Sequence, residues 1–331
     1  MGKRIAYTFL LLSVLAACSR EYPSTDDEYR TIRMRAQVSG IVAETKADSP
    51  VAAVPWRGTT PNDESKLKVK LLLSLKSGIY EPTPTSTNFL PCHTWIEYDD
   101  NQFHDPATVT YTPPGGVEVT GSPKYPTSRD MNNVIDKVYC TGLYPEDGWT
   151  VPDAGTTAVH VITGAQDLMY APEIQGSAES LFGPQTYQHL LTWIKVCICA
   201  TSTDALDKWG NIEYVEIKGK DSITINLADG SATYGADKDF VVHNTVVPLT
   251  TTISSVGSIF CAPAKAFAVK LKSSNFADPK KIIIKRDPAD DAAQFDPGKL
   301  YVLEIYFGTS SAEGICRLIP WDYQDENLNM K

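Results

Sequence analysis

Residues 66–76 read Lys-Leu-Lys-Val-Lys-Leu-Leu-Leu-Ser-Leu-Lys. Leu67, Val69, Leu71, Leu73 and Leu75 fall on one side of an extended chain, and Lys66, Lys68, Lys70, Leu72, Ser74 and Lys76 on the other. Side chains alternate across a strand, so this period of two predicts a half-buried β-strand. A second stretch, His189 to Ala200 (HLLTWIKVCICA), sets Ile194, Val196, Ile198 and Ala200 opposite Trp193, Lys195, Cys197 and Cys199. With apolar groups on both sides, it reads as a strand covered on both faces.

Outward from these two stretches the same signal repeats. Ile32, Met34, Ala36 and Val38 alternate with Arg33, Arg35 and Gln37. Ile212 to Ile217 follow the second stretch, then Ile223, Ile225 and Leu227 closing at Asp229-Gly230. Phe267, Val269 and Leu271 come next, then Ile282 to Ile284, and last Tyr301, Leu303, Ile305 and Phe307 after a turn at Asp296-Pro297-Gly298. Between residues 78 and 165, turn signals such as Pro113-Pro114-Gly115-Gly116 and Asp147-Gly148 separate short aromatic segments. Gly164 to Gly176 reads as a connector, a brief helical turn stopped by Pro172. No long segment of period 3.6 and no fixed-period repeat occurs, so the pattern points to β-sandwiches and away from solenoids and propellers.

Composition agrees. Among 331 residues, 21 Gly, 22 Pro and 16 Tyr favour strands joined by turns. The length accommodates one large domain or two. Forty acidic against 30 basic residues give a net charge of −10, and no basic cluster is present to neutralise phosphates, which excludes a nucleic-acid binder.

The first residues set the compartment. Met1-Gly2-Lys3-Arg4 is basic, Ile5 to Ala17 is apolar but shorter than the ~20 residues that a spanning helix needs, and Leu15-Ala16-Ala17 precede Cys18. A basic segment, an apolar segment and small residues before a cleavage point make a secretory signal. A Cys directly after Leu-Ala-Ala resembles the bacterial lipoprotein signal, which makes 1–17 the signal and Cys18 the lipidated first mature residue. At ~0.8 kcal/mol per buried methylene, two or more acyl chains hold a protein firmly to a membrane. Residues 18–30, polar and acidic, form a tether, and 40 to 65, with Pro50, Pro55, Gly58 and Pro61, a long loop. Six cysteines remain after Cys18; Cys197 and Cys199, two apart on one strand face, are read as buried free thiols.

Chemistry is hard to place on this sequence. Cys92-His93 with His104 and Asp105 lacks the tight ligand pairs of a zinc site, so no metal is assigned. No G-x-S-x-G elbow and no phosphate-cradling glycine loop occurs. Neither a catalytic residue nor a cofactor is assigned. Of the six Trp, Trp95 and Trp149 in turn-rich segments are the candidates for a ligand-facing surface.

The order of features resembles the fimbrillin-like lipoproteins (type V pilins, including the minor-fimbrillin-like group) of Bacteroidales-type bacteria. The lipobox comes first, then the first strand leading to Thr45-Lys46-Ala47 and Trp56-Arg57-Gly58. Asp167-Leu168-Met169-Tyr170-Ala171 with Gly176 resembles the inter-domain segment, His189 to Val196 the strand opening the C-terminal domain, and Ile212 to Gly219 the strand after it. Phe295 to Tyr301 resembles the turn before a late strand, with Trp321 following. The resemblance implies an all-β protein of two tandem β-sandwich domains of transthyretin-like/Greek-key type with few short helices. The domains fall at 31–172 and 173–331. It also implies a non-enzymatic fimbrial subunit, structural or adhesive, exported as an outer-membrane lipoprotein to the cell surface. There a protease cuts after a basic residue, Arg57 or Lys46. The strand carrying Ile32, Met34, Ala36 and Val38 is then lost, and a strand from another pilin subunit fills the groove. A tip, accessory or anchor subunit, with a host or bacterial receptor or glycan as partner, fits the same pattern. The competing reading is a surface carbohydrate-binding lipoprotein of the nutrient-uptake type, in which Trp95 or Trp149 stacks on sugar.

Overall fold

A computed structural model describes residues 32, 35–38, 66–81, 92–97, 109–111, 119–121, 123–125 and 137–319. In chain order the elements are β1 (Arg35–Val38), β2 (Lys66–Ser74), β3 (Cys92–Glu97), β4 (Val109–Tyr111), β5 (Val119–Gly121), β6 (Val138–Tyr144) and β7 (Thr157–Val161). They continue with β8 (Met169–Gly176), β9 (Pro184–His189), β10 (Thr192–Ala200), α1 (Thr203–Trp209), β11 (Ile212–Lys220), β12 (Ser222–Asn226) and β13 (Ala232–Tyr234). Last come β14 (Asp237–His243), β15 (Ser254–Cys261), β16 (Ala266–Ser273), β17 (Lys280–Lys285), β18 (Leu300–Phe307) and β19 (Ala312–Ile319). The protein is all-β, with one short helix among the described residues.

The lysine-leucine stretch forms β2, inside a six-stranded sheet of order β1-β9-β8-β6-β2-β3. Val69, Leu71 and Leu73 are buried as their spacing requires. So is Leu72, because β2 is covered on its second side as well. The connector expected at Gly164 to Gly176 is instead largely β8, with Pro172 inside a strand. A bulge admits it: β6 pairs Gly142 with Ala171 and Cys140 with Ile174, so Pro172 and Glu173 stand against Thr141 alone. A proline cannot donate to a ladder, and a bulge asks nothing of its missing N–H. The Thr141 hydroxyl donates to the Ala171 carbonyl there (2.8 Å). Glu173 then ties the turn after β2 to β8, accepting from the Ser77 hydroxyl (2.6 Å), the Gly78 N–H (2.7 Å) and the Tyr80 hydroxyl (2.6 Å). Burial, together with this carboxylate, pushes the Tyr80 phenol far above its ordinary range. Residues 172 and 173, where the sequence places the division between domains, are consecutive residues of β8, and β9 belongs to the same sheet.

Two four-stranded sheets make up most of the remainder, of orders β15-β10-β18-β19 and β14-β11-β16-β17. They face each other, β14 touching β15 at one margin and β17 touching β19 at the other. The second sequence stretch forms β10, between antiparallel β15 and parallel β18, and Ile194, Val196 and Ile198 are fully buried. Between the sheets Phe295 packs edge-on against Phe267 (centroids 4.7 Å apart) and Tyr301 (4.9 Å). Helix α1 follows β10; the Ser202 hydroxyl accepts from the Ala205 N–H and Gly210 closes the other end.

One hairpin joins the two parts. Past Lys220 the chain leaves the β11 sheet and forms β12, which pairs with β7 from Ser222↔Val161 to Asn226↔Thr157 and with β13 on its other side. Ile223, Ile225 and Leu227 are fully buried, and the Leu227 carbonyl accepts from the Tyr170 hydroxyl (3.0 Å). At the tip Gly230 has φ of 74°, and a Cβ there would stand 2.5 Å from the Tyr170 ring. Only glycine fits on both counts. The chain then returns through β13 to β14 in the second part.

Candidate functional site

The edge of the six-stranded sheet carries the first strand. β1 lies parallel to β9, its ladder partner among the described strands, with Arg35↔Pro184, Ala36↔Gln185, Gln37↔Thr186 and Val38↔Tyr187 level, and it also approaches β3. Just before it, Ile32 is fully buried and its N–H donates to the Pro123 carbonyl (2.8 Å). The strand expected at Ile32, Met34, Ala36 and Val38 thus stands last in the order of this sheet among the described strands. Met34 itself lies outside the described residues.

The strand beneath is built from polar side chains turned inward. Gln185, Tyr187 and His189 alternate on β9 and are all buried. The Gln185 amide donates to the Cys140 carbonyl (3.4 Å) at the bulge, and the Tyr187 hydroxyl donates to the Gln185 side-chain oxygen (3.5 Å). The Tyr187 ring lies directly over Gly142, where a Cβ would stand 2.0 Å from its hydroxyl. His189 Nδ1 meets Asp167 Oδ2 at 2.5 Å, and the other Asp167 oxygen accepts from the Leu168 N–H (2.8 Å). Both partners are sealed from solvent. Burial raises the Asp167 carboxyl, against the opposing pull of His189 and the Leu168 amide. Buried in this way, the pair ties the start of β8 to the end of β9.

A fold of this kind exists among solved proteins. It is similar to that of a protein from Bacteroides uniformis named for cell adhesion. That structure is 16% identical, with a TM-score of 0.50 over 88% of this chain and 99% of its own. A protein from Bacteroides ovatus, also named for cell adhesion, is 13% identical (TM-score 0.47, 90% and 99% covered). A fimbrial assembly protein from Parabacteroides distasonis is 11% identical (TM-score 0.44, 88% and 97% covered). At these identities the likeness concerns the fold. No protein-family description matches the sequence, and no curated protein does.

The other expected site residues distribute as follows. Cys18, Lys46 and Arg57 lie outside the described residues, as does the side chain of Trp95 on β3. Trp149, expected on a surface, is buried, its ring 4.9 Å from that of His160. The turn at Asp147-Gly148 folds it inward, since a Cβ at Gly148 would collide with His160 Nε2. Among the described residues no group of His, Cys, Asp and Glu could hold a metal. A shallow depression of about 140 Å³ lies among Glu216, Lys218, Asp239, Ala268, Lys270 and Lys281 on the outer face of the β11 sheet. It is the dip above Ala268 between longer side chains, two of which already pair, Lys270 with Glu216 at 3.1 Å.

The described thiols, Cys140, Cys197, Cys199, Cys261 and Cys316, form no disulfide, and all but Cys316 are buried. Burial pushes Cys261 and Cys316 up to about 12 and raises Cys197 and Cys199 too. A thiol at about 12 is ionised in about one molecule in ten thousand at pH 8, and the thiolate is the nucleophile. Folded protein held with a maleimide at pH 8 should therefore keep the fully buried Cys261 unlabelled, with labelling rising at the urea midpoint. Rapid labelling of Cys261 in native buffer would contradict the burial.

Proposed function

We propose that this chain is a structural or adhesive subunit of a cell-surface fimbria, without enzymatic activity, exported as a lipoprotein through Cys18. The position of β1 carries the reading. A four-residue strand whose ladder, among the described strands, runs to β9 alone is an element a sheet can lose cheaply. Its departure uncovers the backbone donors and acceptors of β9 and empties the space of the buried Ile32. An unpaired sheet edge next to an apolar slot is a template for strand addition. Cutting after Arg57 or Lys46 would free β1, and a strand from another subunit would replace it; the outer membrane, through the lipid, and a receptor or glycan would be the further partners. In this reading the protein keeps two sandwich domains, with the division moved from 172 to the end of β9. The names of the structurally similar proteins, cell adhesion and fimbrial assembly, agree with this assignment. The carbohydrate-binding alternative loses one of its two aromatics with the burial of Trp149.

The test is to treat the purified precursor with an Arg-specific protease, sequence the new amino terminus and look for a heat-sensitive ladder of polymers. A new terminus at Gly58 with a ladder is the expected outcome. Absence of any cut between Val38 and Lys66, with no ladder, would remove the polymerising role.

A further inference from the structure

We infer that the two parts of the chain move as one rigid body, locked by a three-cornered joint whose side-chain bolt is the Tyr234 hydroxyl. Two packed units on one chain ordinarily shift against each other, because a single linker lets one swing on the other. Here the chain passes between the parts three times: from β9 to β10 through Leu190 and Leu191, from β11 to β12 through Asp221, and from β13 to β14 through Gly235 and Ala236. These corners do not lie on one line. β10 belongs to one of the two facing sheets, while β11 and β14 are neighbours in the other, and packed sheets stand about 10 Å apart. A unit held at one point can swing, and a unit held at two can turn about the line between them. Three points out of line stop both motions.

The corners are themselves tight. At the first, the Leu190 N–H donates to the Leu168 carbonyl (2.8 Å), and the Leu190 carbonyl accepts from the Tyr234 hydroxyl (3.1 Å). The Leu191 carbonyl accepts from the Gly298 N–H (2.8 Å), and the Thr192 hydroxyl donates to the Asp296 carbonyl (2.9 Å). Leu190 is thus held by the first part and Leu191 by the second. The other two corners are tied to each other, since the Asp221 N–H donates to the Ala236 carbonyl (3.0 Å). They are tied to the end of β7 as well, because the Asp221 carbonyl accepts from the Ile162 N–H (2.8 Å). The turn after β7 then rests on the second part: the Gly164 carbonyl accepts from the Phe260 N–H (2.8 Å), and a Cβ at Gly164 would stand 2.7 Å from the Ile259 side chain. A hinge needs a few residues free to change φ and ψ. Leu190 and Leu191, buried and bonded on both sides, are not free to do so. Tyr234 ends the strand that leads into the third corner and bonds the first, so one side chain joins corners that belong to facing sheets.

The experiment uses the full chain, with spin labels attached by non-thiol chemistry at the exposed Glu179 and Asp278, one in each part. Pulsed EPR should give a single distance, its distribution no wider than that of a pair at Lys238 and Asp278 inside the second part. A wider or two-peaked distribution for the crossing pair alone would overturn the lock. Hydrogen exchange read by mass spectrometry tests the bolt. In Tyr234→Phe, which removes only the hydroxyl, exchange across residues 189–193 should rise about three- to tenfold, while exchange across 301–307 stays within about twofold of the wild type. Equal exchange across 189–193 in the two proteins would overturn the role of Tyr234.

Discussion

Replacing Asp167 by Ala should lower the unfolding free energy by about 3–5 kcal/mol, the penalty for leaving one member of a buried pair without the other. His189 would remain enclosed, with the turn at Gly298 packed against it. The Leu168 N–H would lose its acceptor as well. Asp167→Asn, which keeps the shape and one acceptor, should cost clearly less. The pH profile separates charge from shape. Burial raises the carboxyl of Asp167 in the folded protein above its unfolded value of about 4. Its favourable contribution is therefore complete below about pH 4 and is lost as the pH rises through the folded value. The gap in stability between the wild type and Asp167→Asn should widen from pH 7 towards pH 4. Exposed carboxylates whose ionised forms are favoured by lysines, such as Asp237 and Asp291, act in the opposite sense, but equally in both proteins. Urea unfolding of the two proteins at pH 4, 5.5 and 7 measures the difference; a gap that narrows on acidification would refute the assignment.

Leu227→Ala should cost about 2–5 kcal/mol, as for a large residue truncated in a close-packed core. Its location makes the effect informative. Leu227 belongs by sequence to the second part of the chain, yet its carbonyl serves Tyr170 of β8 and its N–H donates to the Thr156 carbonyl (2.9 Å). Ile225, two residues earlier, is level with Ala158 of β7. If the β12–β13 hairpin is part of the first unit's packing, the substitution should lower the unfolding midpoint of probes in both parts together. Fluorescence from Trp149, and from Trp193 stacked on Phe260, reports the two environments once the other tryptophans are replaced. Two separated transitions, with only the first displaced, would show that the parts unfold independently.

The strands most legible in the sequence were those whose alternation is local. Lys66 to Ser74 and Thr192 to Ala200 form where period two places them, and Asp229-Gly230 is the turn expected after Leu227. Pro172 reads in the sequence as a breaker, yet it lies inside β8. Its tolerance depends on the bulge at Pro172–Glu173 against Thr141, and the partner strand β6 that makes this a bulge lies some thirty residues earlier in the chain. Helix α1 had its own signals, Ser202 as cap, Asp204 in the first turn and Gly210 at the end, but it is too short to show a period. Trp149 was placed on a surface by its turn-rich neighbours, whereas its burial follows from His160 on β7. For the candidate edge, the alternation of the first strand could be read, but not its parallel partner β9. Nor could the pairing of β12 with β7, because both join residues distant in sequence, and pairings of that kind are set by topology.

The crossing hairpin also bears on when the protein can fold. β7 leaves the ribosome well before β12, so the first unit cannot close its second layer until Asn226 has been made. A nascent chain arrested before that point has Tyr170 and its apolar neighbours without their cover. For a protein proposed to cross a membrane before folding, this delay keeps the early half of the chain from closing into a complete native unit until the later half has followed it.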